Sequence, residues 1–224
     1  MKYHDRVYGS WDIQEPIIID LIHSPSLQRL KGIDQGGYRP FWYKDADDIG
    51  EYDHSRFAHS LGVYLLLRKY GAPLEEQIAG LLHDVSHSAF SHCIDYVLEG
   101  GSEKEQSHQD RHFAPFVKRS EIPEILHRYG FDVDYILEDR HFPLKEQDLP
   151  DLCADRIDYS LRTAVLFHEW EVHEVDALLD RLIVHDGKWV FTDFTIAQRY
   201  ARLFLKLNQQ YYAGISSAAM FRAV

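Results

Sequence analysis

Apolar residues recur at helical spacing along almost the whole chain, and that periodicity is what most narrows its fold. Leu27, Leu30 and Ile33 form one set, Phe57, Leu61, Val63, Leu65 and Leu66 a second, and Ile78, Leu81 and Leu82 a third. A chain patterned in this way builds its core from helices. The segment PLEEQIAGLLHD (73–84) carries a start signal as well: Pro73 suits a first helical position, and Glu75 and Glu76 sit at the positive end of the helix dipole. Another helix starts near Ser55, SAFSHCIDYVL (88–98) continues the helical pattern, and a long helix runs from Leu149 to Phe167. His108 to Lys118 is also helical, with Pro115 as a kink, after the polar break GGSEKEQS (100–107). Residues 36–53, GGYRPFWYKDADDIGEYD, are rich in Gly, Pro and Asp and read as a loop. In LIVHDGKWVFTD (182–193), two β-rich runs flank Asp186-Gly187, a dipeptide suited to a tight hairpin turn. One or two helices broken near Gly214 follow. The expected fold is all-α, a helical bundle with one small β-hairpin near residues 182–193.

The net charge of −12 argues against attachment to nucleic acid or an anionic membrane, both of which need a basic face. Any phosphate the protein binds must be caught locally. Cys93 and Cys153 are the only cysteines, too few for a disulfide framework or a cysteine-rich zinc site. The opening MKYHDRVYGS lacks the apolar stretch of a signal peptide, and no apolar run has the length of a membrane span. A cytoplasmic protein is expected.

Fourteen histidines are many for 224 residues, and seven of them fall between His54 and His112. Imidazoles and carboxylates together suit Zn, Mn, Fe, Co or Ni, whereas Mg prefers mostly oxygen ligands. Spacing alone nominates His83 and His87, four apart on one helical face, as a ligand pair. Asp84 is then unexplained. The helix around Asp155 offers further ligands on a stripe of Asp155, Asp158, Tyr159 and Arg162. The same stripe also reads as a solvated face on which Asp158 and Arg162 pair four apart.

The stretches HSRFAHSLGV (54–63), QIAGLLHDVSHSAFSH (77–92), SHQ (107–109) and ADRIDY (154–159) resemble the HD superfamily of metal-dependent phosphohydrolases. Together with SPSLQRLKGIDQGG (24–37), they are most similar to its deoxynucleotide triphosphohydrolase branch, which includes bacterial dGTPases and the SAM-and-HD-domain dNTPase. The resemblance covers residues 16–167. It implies one HD domain over 1–224, with the hairpin and helices of 168–224 appended. By resemblance, His59, His83, Asp84 and Asp155 hold one divalent ion per chain (Mn, Fe, Ni, Co or Zn, with Mg less suited). His87 and His108 then handle protons beside Asp84. Arg56 and His92 contact phosphate, Arg156 stands where relatives carry a phosphate-binding lysine, Tyr159 packs on the sugar, and Gln35 faces the deoxyribose. Relatives also carry a Tyr-x-His-Lys-like segment near the end. Here QQYYAGISS has neither His nor Lys after Tyr211, which leaves Arg202 or Lys206 as stand-ins.

The resemblance implies hydrolysis of a dNTP to deoxynucleoside and triphosphate, by a homo-oligomer whose partner is the nucleotide. The alternatives are phosphomonoesterase or phosphodiesterase action on another nucleotide or phosphorylated metabolite, and a nucleotide-sensing HD domain without turnover. A dinuclear oxygenase fits less well, since no further carboxylate motif accompanies the HD pair.

Overall fold

The computed structural model describes residues 1–37, 53–96 and 108–223. Most of the acidic loop expected at 36–53 and the polar break at 100–107 fall outside these residues.

The central element is α3 (Arg56–Lys69), started by Ser55, whose hydroxyl accepts from the Ala58 N–H. Twelve of its fourteen residues are buried. Helices apolar on every side belong in an interior. On one side Leu61, Tyr64 and Leu65 join α1 (Pro16–His23), α4 (Leu74–Leu82) and α6 (Ile122–Arg128) in an apolar cluster. On the other, Val63, Leu66 and Leu67 join α8 (Ala154–Leu166), α9 (Val172–Leu179) and Trp189 in a second. The short α2 (Pro25–Gln28) follows α1, and α5 (His108–Arg119) and α7 (Val133–Ile136) lie along the first cluster. After α9 come β3 (Leu182–His185) and β4 (Lys188–Phe191), then α10 (Phe194–Leu207), a π-helical turn (Asn208–Tyr212) and α11 (Ile215–Ala223). Gly214 separates the last two, and α10 packs on α8.

The helical fold and the hairpin at 182–193 agree with the sequence reading, and β3 pairs with β4 around Asp186-Gly187, both at positive φ. Three features differ. A second hairpin joins β1 (Lys2–Asp5) to β2 (Gly9–Asp12), with Asp5 opposite Gly9. Its strands are four residues each, too short for a clear alternation. The helix expected from Leu149 begins only at Ala154, where the Cys153 side chain caps it by accepting from Arg156 N–H. The third difference lies after α4. Over the described part of 88–98 the chain does not continue helically; it turns at 83–86 and forms only a short 3₁₀ helix, Ser91–Tyr96. The Arg29 guanidinium donates to the Val85 and His87 carbonyls at 2.6 and 2.7 Å, oxygens that a continuing helix would have used internally.

Gly62 sets the spacing between α3 and α8. A Cβ at this position would come within 2.0 Å of Asp158 Oδ1 and 2.1 Å of Arg162 Nη2, both on buried side chains. Gly62→Ala gains up to about 1 kcal/mol of helix propensity. It also overpacks a closed interface at a cost of roughly 1–3 kcal/mol. The clash wins, and thermal denaturation should show a melting point lower by several degrees.

Candidate metal centre

Three elements deliver one carboxylate and two imidazoles to a single point. His59 lies one turn into α3, His83 caps the end of α4, and Asp155 occupies the first turn of α8. His59 Nε2 stands 3.1 Å from His83 Nε2 and 2.8 Å from Asp155 Oδ1, and His83 Nε2 is 3.5 Å from the same oxygen. Their ligand atoms all lie within 4.8 Å of one another.

The other face of each imidazole determines what it can offer here. His59 Nδ1 donates to Asp158 Oδ2 at 2.7 Å, and His83 Nδ1 donates to the Gly80 carbonyl at 2.7 Å. Those acceptors fix the tautomers, so both Nε2 lone pairs point at the shared space. With both imidazoles neutral, two lone pairs and a carboxylate oxygen converge into a donor set that fits a divalent ion. Burial would lower the His59 pKa, but hydrogen bonds to Asp155 and Asp158 outweigh it and push it up to about 10. Asp155 goes the other way: burial raises it, and His59 and His83 hold it far below the carboxylate range.

Asp84 borders this group, with Oδ1 3.5 Å from His83 Nε2 and Oδ2 3.7 Å from His59 Nε2. Its carboxylate is also clamped: Arg56 Nη1 donates to Oδ2 at 2.6 Å, and His87 Nε2 lies 3.2 Å from Oδ1. Burial alone would raise Asp84, yet Arg56, His83 and His87 keep it well below its usual range. Spacing had grouped His83 with His87 as two ligands; the turn after Leu82 instead sets His87 behind Asp84. Burial and the nearby Arg56 charge lower His87 to about 3, so it is a neutral imidazole, edge-on to His92 with ring centroids 5.0 Å apart.

Arg56 is buried and fully engaged, donating also to Ser91 Oγ at 2.8 Å and the Gln35 carbonyl at 3.0 Å. Gln35 is thereby brought to the site through its backbone, while its side-chain Oε1 is buried without an acceptor role among the described residues. Arg156 is held against the segment before α8, beside Glu146 and Cys153, which group with Asp155. Its guanidinium donates to the Asp151 and Gln147 carbonyls and lies 3.7 Å from Glu146. Tyr159 faces α10 and the turn after it, its ring 5.4 Å from that of Tyr212 and 6.3 Å from that of Phe204. His108 begins α5, and its side chain lies outside the described residues. Of the two substitute cations, Lys206 is paired with Glu169.

The sequence reading placed Asp158 and Arg162 on the stripe with Asp155, open between a part in the site and a solvated pair, and gave neither a role in supporting His59. They do pair, at 3.0 Å, but in the interior, with Asp158 turned onto His59. The available signal was their spacing: Asp158 follows Asp155 by one turn, so a ligand and its support share one helical face. Arg29 and Gln109 were also missed; the Gln109 amide donates to the His83 carbonyl at 3.0 Å and its carbonyl oxygen accepts from Ser86.

Residues 56–163, the segment that holds this cluster, match the profile of the HD domain. That segment is an HD domain. The chain is 39% identical over 207 residues to the uncharacterized protein YdhJ of Bacillus subtilis (strain 168), covering 92% of this chain and 61% of that one. It is 37% identical over 179 residues to the metal-dependent phosphohydrolase cns2 of Cordyceps militaris, covering 80% of this chain and 49% of cns2. Similarity to the deoxynucleoside triphosphate triphosphohydrolase SAMHD1 of Mus musculus is more partial, 32% over 160 residues, covering 61% of this chain and 23% of SAMHD1. The chain thus spans less than two thirds of the length of each of these relatives. No helix among the described residues is long and apolar enough to cross a membrane.

Removing the Asp158 carboxylate leaves Arg162 with Asp5 as its remaining carboxylate partner and His59 Nδ1–H without its acceptor. Breaking a buried pair from one side costs roughly 3–5 kcal/mol. Asp158→Ala should therefore lower the denaturant midpoint of the metal-free protein by an amount corresponding to that loss, far beyond the effect of truncating an exposed aspartate such as Asp176.

Proposed function

We propose that this protein is a metal-dependent phosphohydrolase of nucleotides, with a dNTP, cleaved to deoxynucleoside and triphosphate, as the first substrate class. The observation that carries the reading is the convergence of His59 Nε2, His83 Nε2 and Asp155 Oδ1, bordered by Asp84. His59, His83, Asp84 and Asp155 would hold one divalent ion, Mn, Fe, Co, Ni or Zn suiting two imidazoles and two carboxylates better than Mg. When bound, such an ion supplies Lewis acidity toward a phosphoryl oxygen and lowers the pKa of water. The chain's own groups do the remainder. Arg56 is the cation nearest the cluster, and exchanging part of its hold on Asp84 for a phosphoryl oxygen would neutralise charge developing there. His87 and His108 are the residues assigned to proton handling; a phosphoryl anion beside His87 would offset the Arg56 charge that, with burial, holds its pKa low, and so bring it toward a value useful for proton transfer. His92 beside His87, and Gln35 beside Arg56, line the same approach.

The second reading, a phosphomonoesterase or phosphodiesterase, is favoured by Arg156. Its guanidinium is occupied by main-chain carbonyls, and Lys206 by Glu169, which leaves fewer cations for a triphosphate. A homo-oligomeric, cytoplasmic enzyme acting on small nucleotides rather than nucleic acid completes the proposal.

A screen of dNTPs, NTPs, monophosphates and cyclic nucleotides with Mn²⁺, Co²⁺, Ni²⁺, Fe²⁺ or Zn²⁺ tests it, with products identified. Release of inorganic triphosphate supports the first reading, and orthophosphate from a monophosphate the second. Chelation should abolish turnover and added metal restore it. Asp84→Ala should lose both the ion and the activity while keeping its helical circular dichroism; retention of a full equivalent of metal by this variant would refute the ligand assignment.

A further inference from the structure

The support of His59 does not end at Asp158. Arg162 donates from Nε to Asp158 Oδ2 at 3.1 Å and from Nη2 to Asp158 Oδ1 at 3.0 Å. The same Nη2 donates to Asp5 Oδ2, also at 3.1 Å. Asp5 closes β1 of the N-terminal hairpin, and its other oxygen accepts the Val7 and Tyr8 N–H groups at 2.8 and 3.0 Å. A chain of hydrogen bonds thus runs from the hairpin turn through Asp5, Arg162 and Asp158 to His59 Nδ1. All four side chains are shut away from water, with exposures of 1%, 3%, 0% and 0% in that order. Val7, fully buried against the cluster of Val63, Leu66 and Ala154, keeps the hairpin seated on α3 and α8.

A hairpin needs no buried carboxylate to turn, and burying an acid is costly unless the charge is used. Arg162 and Asp158 alone would form a neutral pair, with the guanidinium drawing on the same carboxylate that His59 needs. Asp5 takes part of Arg162 for itself and makes the triad net negative. In a dry environment where hydrogen-bonded groups polarise one another, that keeps Asp158 a strong acceptor for the His59 N–H and makes Nε2 a better donor toward a cation.

We propose that Asp5 is a positioning residue for the metal centre, which ties the N-terminal hairpin to metal affinity through Arg162, Asp158 and His59. It touches neither substrate nor ion and acts only through the others. The inference rests on the proposed metal-binding reading of the His59 cluster. Loss of a group that supports a ligand directly weakens metal binding by about 10–100-fold. Asp5, two residues further out, should contribute about tenfold, at the lower end of that range.

Asp5→Asn separates charge from structure, because an amide oxygen still accepts from Val7 and Tyr8 while the negative charge is gone. Mn²⁺ dissociation constants of the full chain, from the electron paramagnetic resonance signal of free Mn²⁺, would be compared for wild type, Asp5→Asn and Arg162→Lys. Melting of the metal-free forms and the downfield imidazole N–H proton of His59, identified by its loss in His59→Ala, would be recorded alongside. Asp5→Asn should bind Mn²⁺ at unchanged stoichiometry but about tenfold more weakly, with the His59 proton shifted upfield. Arg162→Lys, which keeps a charge but loses the shared fork, should weaken binding in the same direction and serves as the test should Asp5→Asn not fold. A dissociation constant within twofold of wild type in the folded variant, whatever its melting point, makes Asp5 merely structural and overturns the inference. Wild-type protein that takes up no Mn²⁺, Co²⁺ or Zn²⁺ overturns the metal reading and this inference with it.

Discussion

The Asp158 carboxylate is the joint on which this site depends. One oxygen accepts from His59, both accept from Arg162, and the group lies against the backbone of α3 at a residue with no side chain. This single contact sets the distance between two helices and the tautomer of an imidazole on one of them. It also sets Asp155, one helical turn earlier on the same face of α8, opposite His59. A larger residue at Gly62 would separate α3 from α8 and, in the same movement, the imidazole from the carboxylate. Core packing and site geometry are therefore the same constraint here.

Two arginines organise the other half. Arg29 takes the carbonyls of Val85 and His87 and so stops α4 at the point where His83 and Asp84 face the cluster. Arg56 then clamps Asp84 and, through Ser91 and Gln35, binds the 3₁₀ turn and the segment before α3 to the same carboxylate. The turn could not be replaced by a regular helix without moving Asp84 off the site, since adjacent residues on a helix point about 100° apart. Ending the helix at His83 lets neighbouring residues serve one centre.

That is also why part of the site was legible in sequence and part was not. Apolar periodicity identified α3, α4 and α8, and Asp186-Gly187 the hairpin between β3 and β4, because these are local signals. The four residues gathered around the centre came from motif resemblance, and helical spacing taken alone grouped His83 with the wrong partner. Spacing assumes that a helix continues, and what ends this one is a guanidinium more than fifty positions away in the chain. Asp158 and Arg162 were visible as an i, i+4 pair, but nothing local distinguishes a solvated pair from a buried one. Burial is decided by what lies opposite, here Gly62 and the first hairpin. That hairpin was unreadable for a related reason: its two four-residue strands take their stability from Val7 and Asp5 docking on distant helices rather than from their own alternation.

Charge bears on how an acidic protein would offer this centre to an anion on the proposed reading. Among the described residues paired around His59, Asp5, Asp84, Asp155 and Asp158 stand against Arg56 and Arg162. With both imidazoles neutral, four carboxylates and two guanidiniums leave two negative charges in a poorly solvated space. Protonation of His59 takes up part of that deficit: against the effect of burial, Asp155 and Asp158 hold it far above its ordinary value. On the proposed reading, a divalent cation held there would cancel the two charges, and His59 Nε2 would need no proton. An incoming phosphate would then meet a centre that does not repel it, and Arg56 could divide its hydrogen bonds between Asp84 and that phosphate. The carboxylates that would hold the ion would thus also set the order in which ion and anion bind.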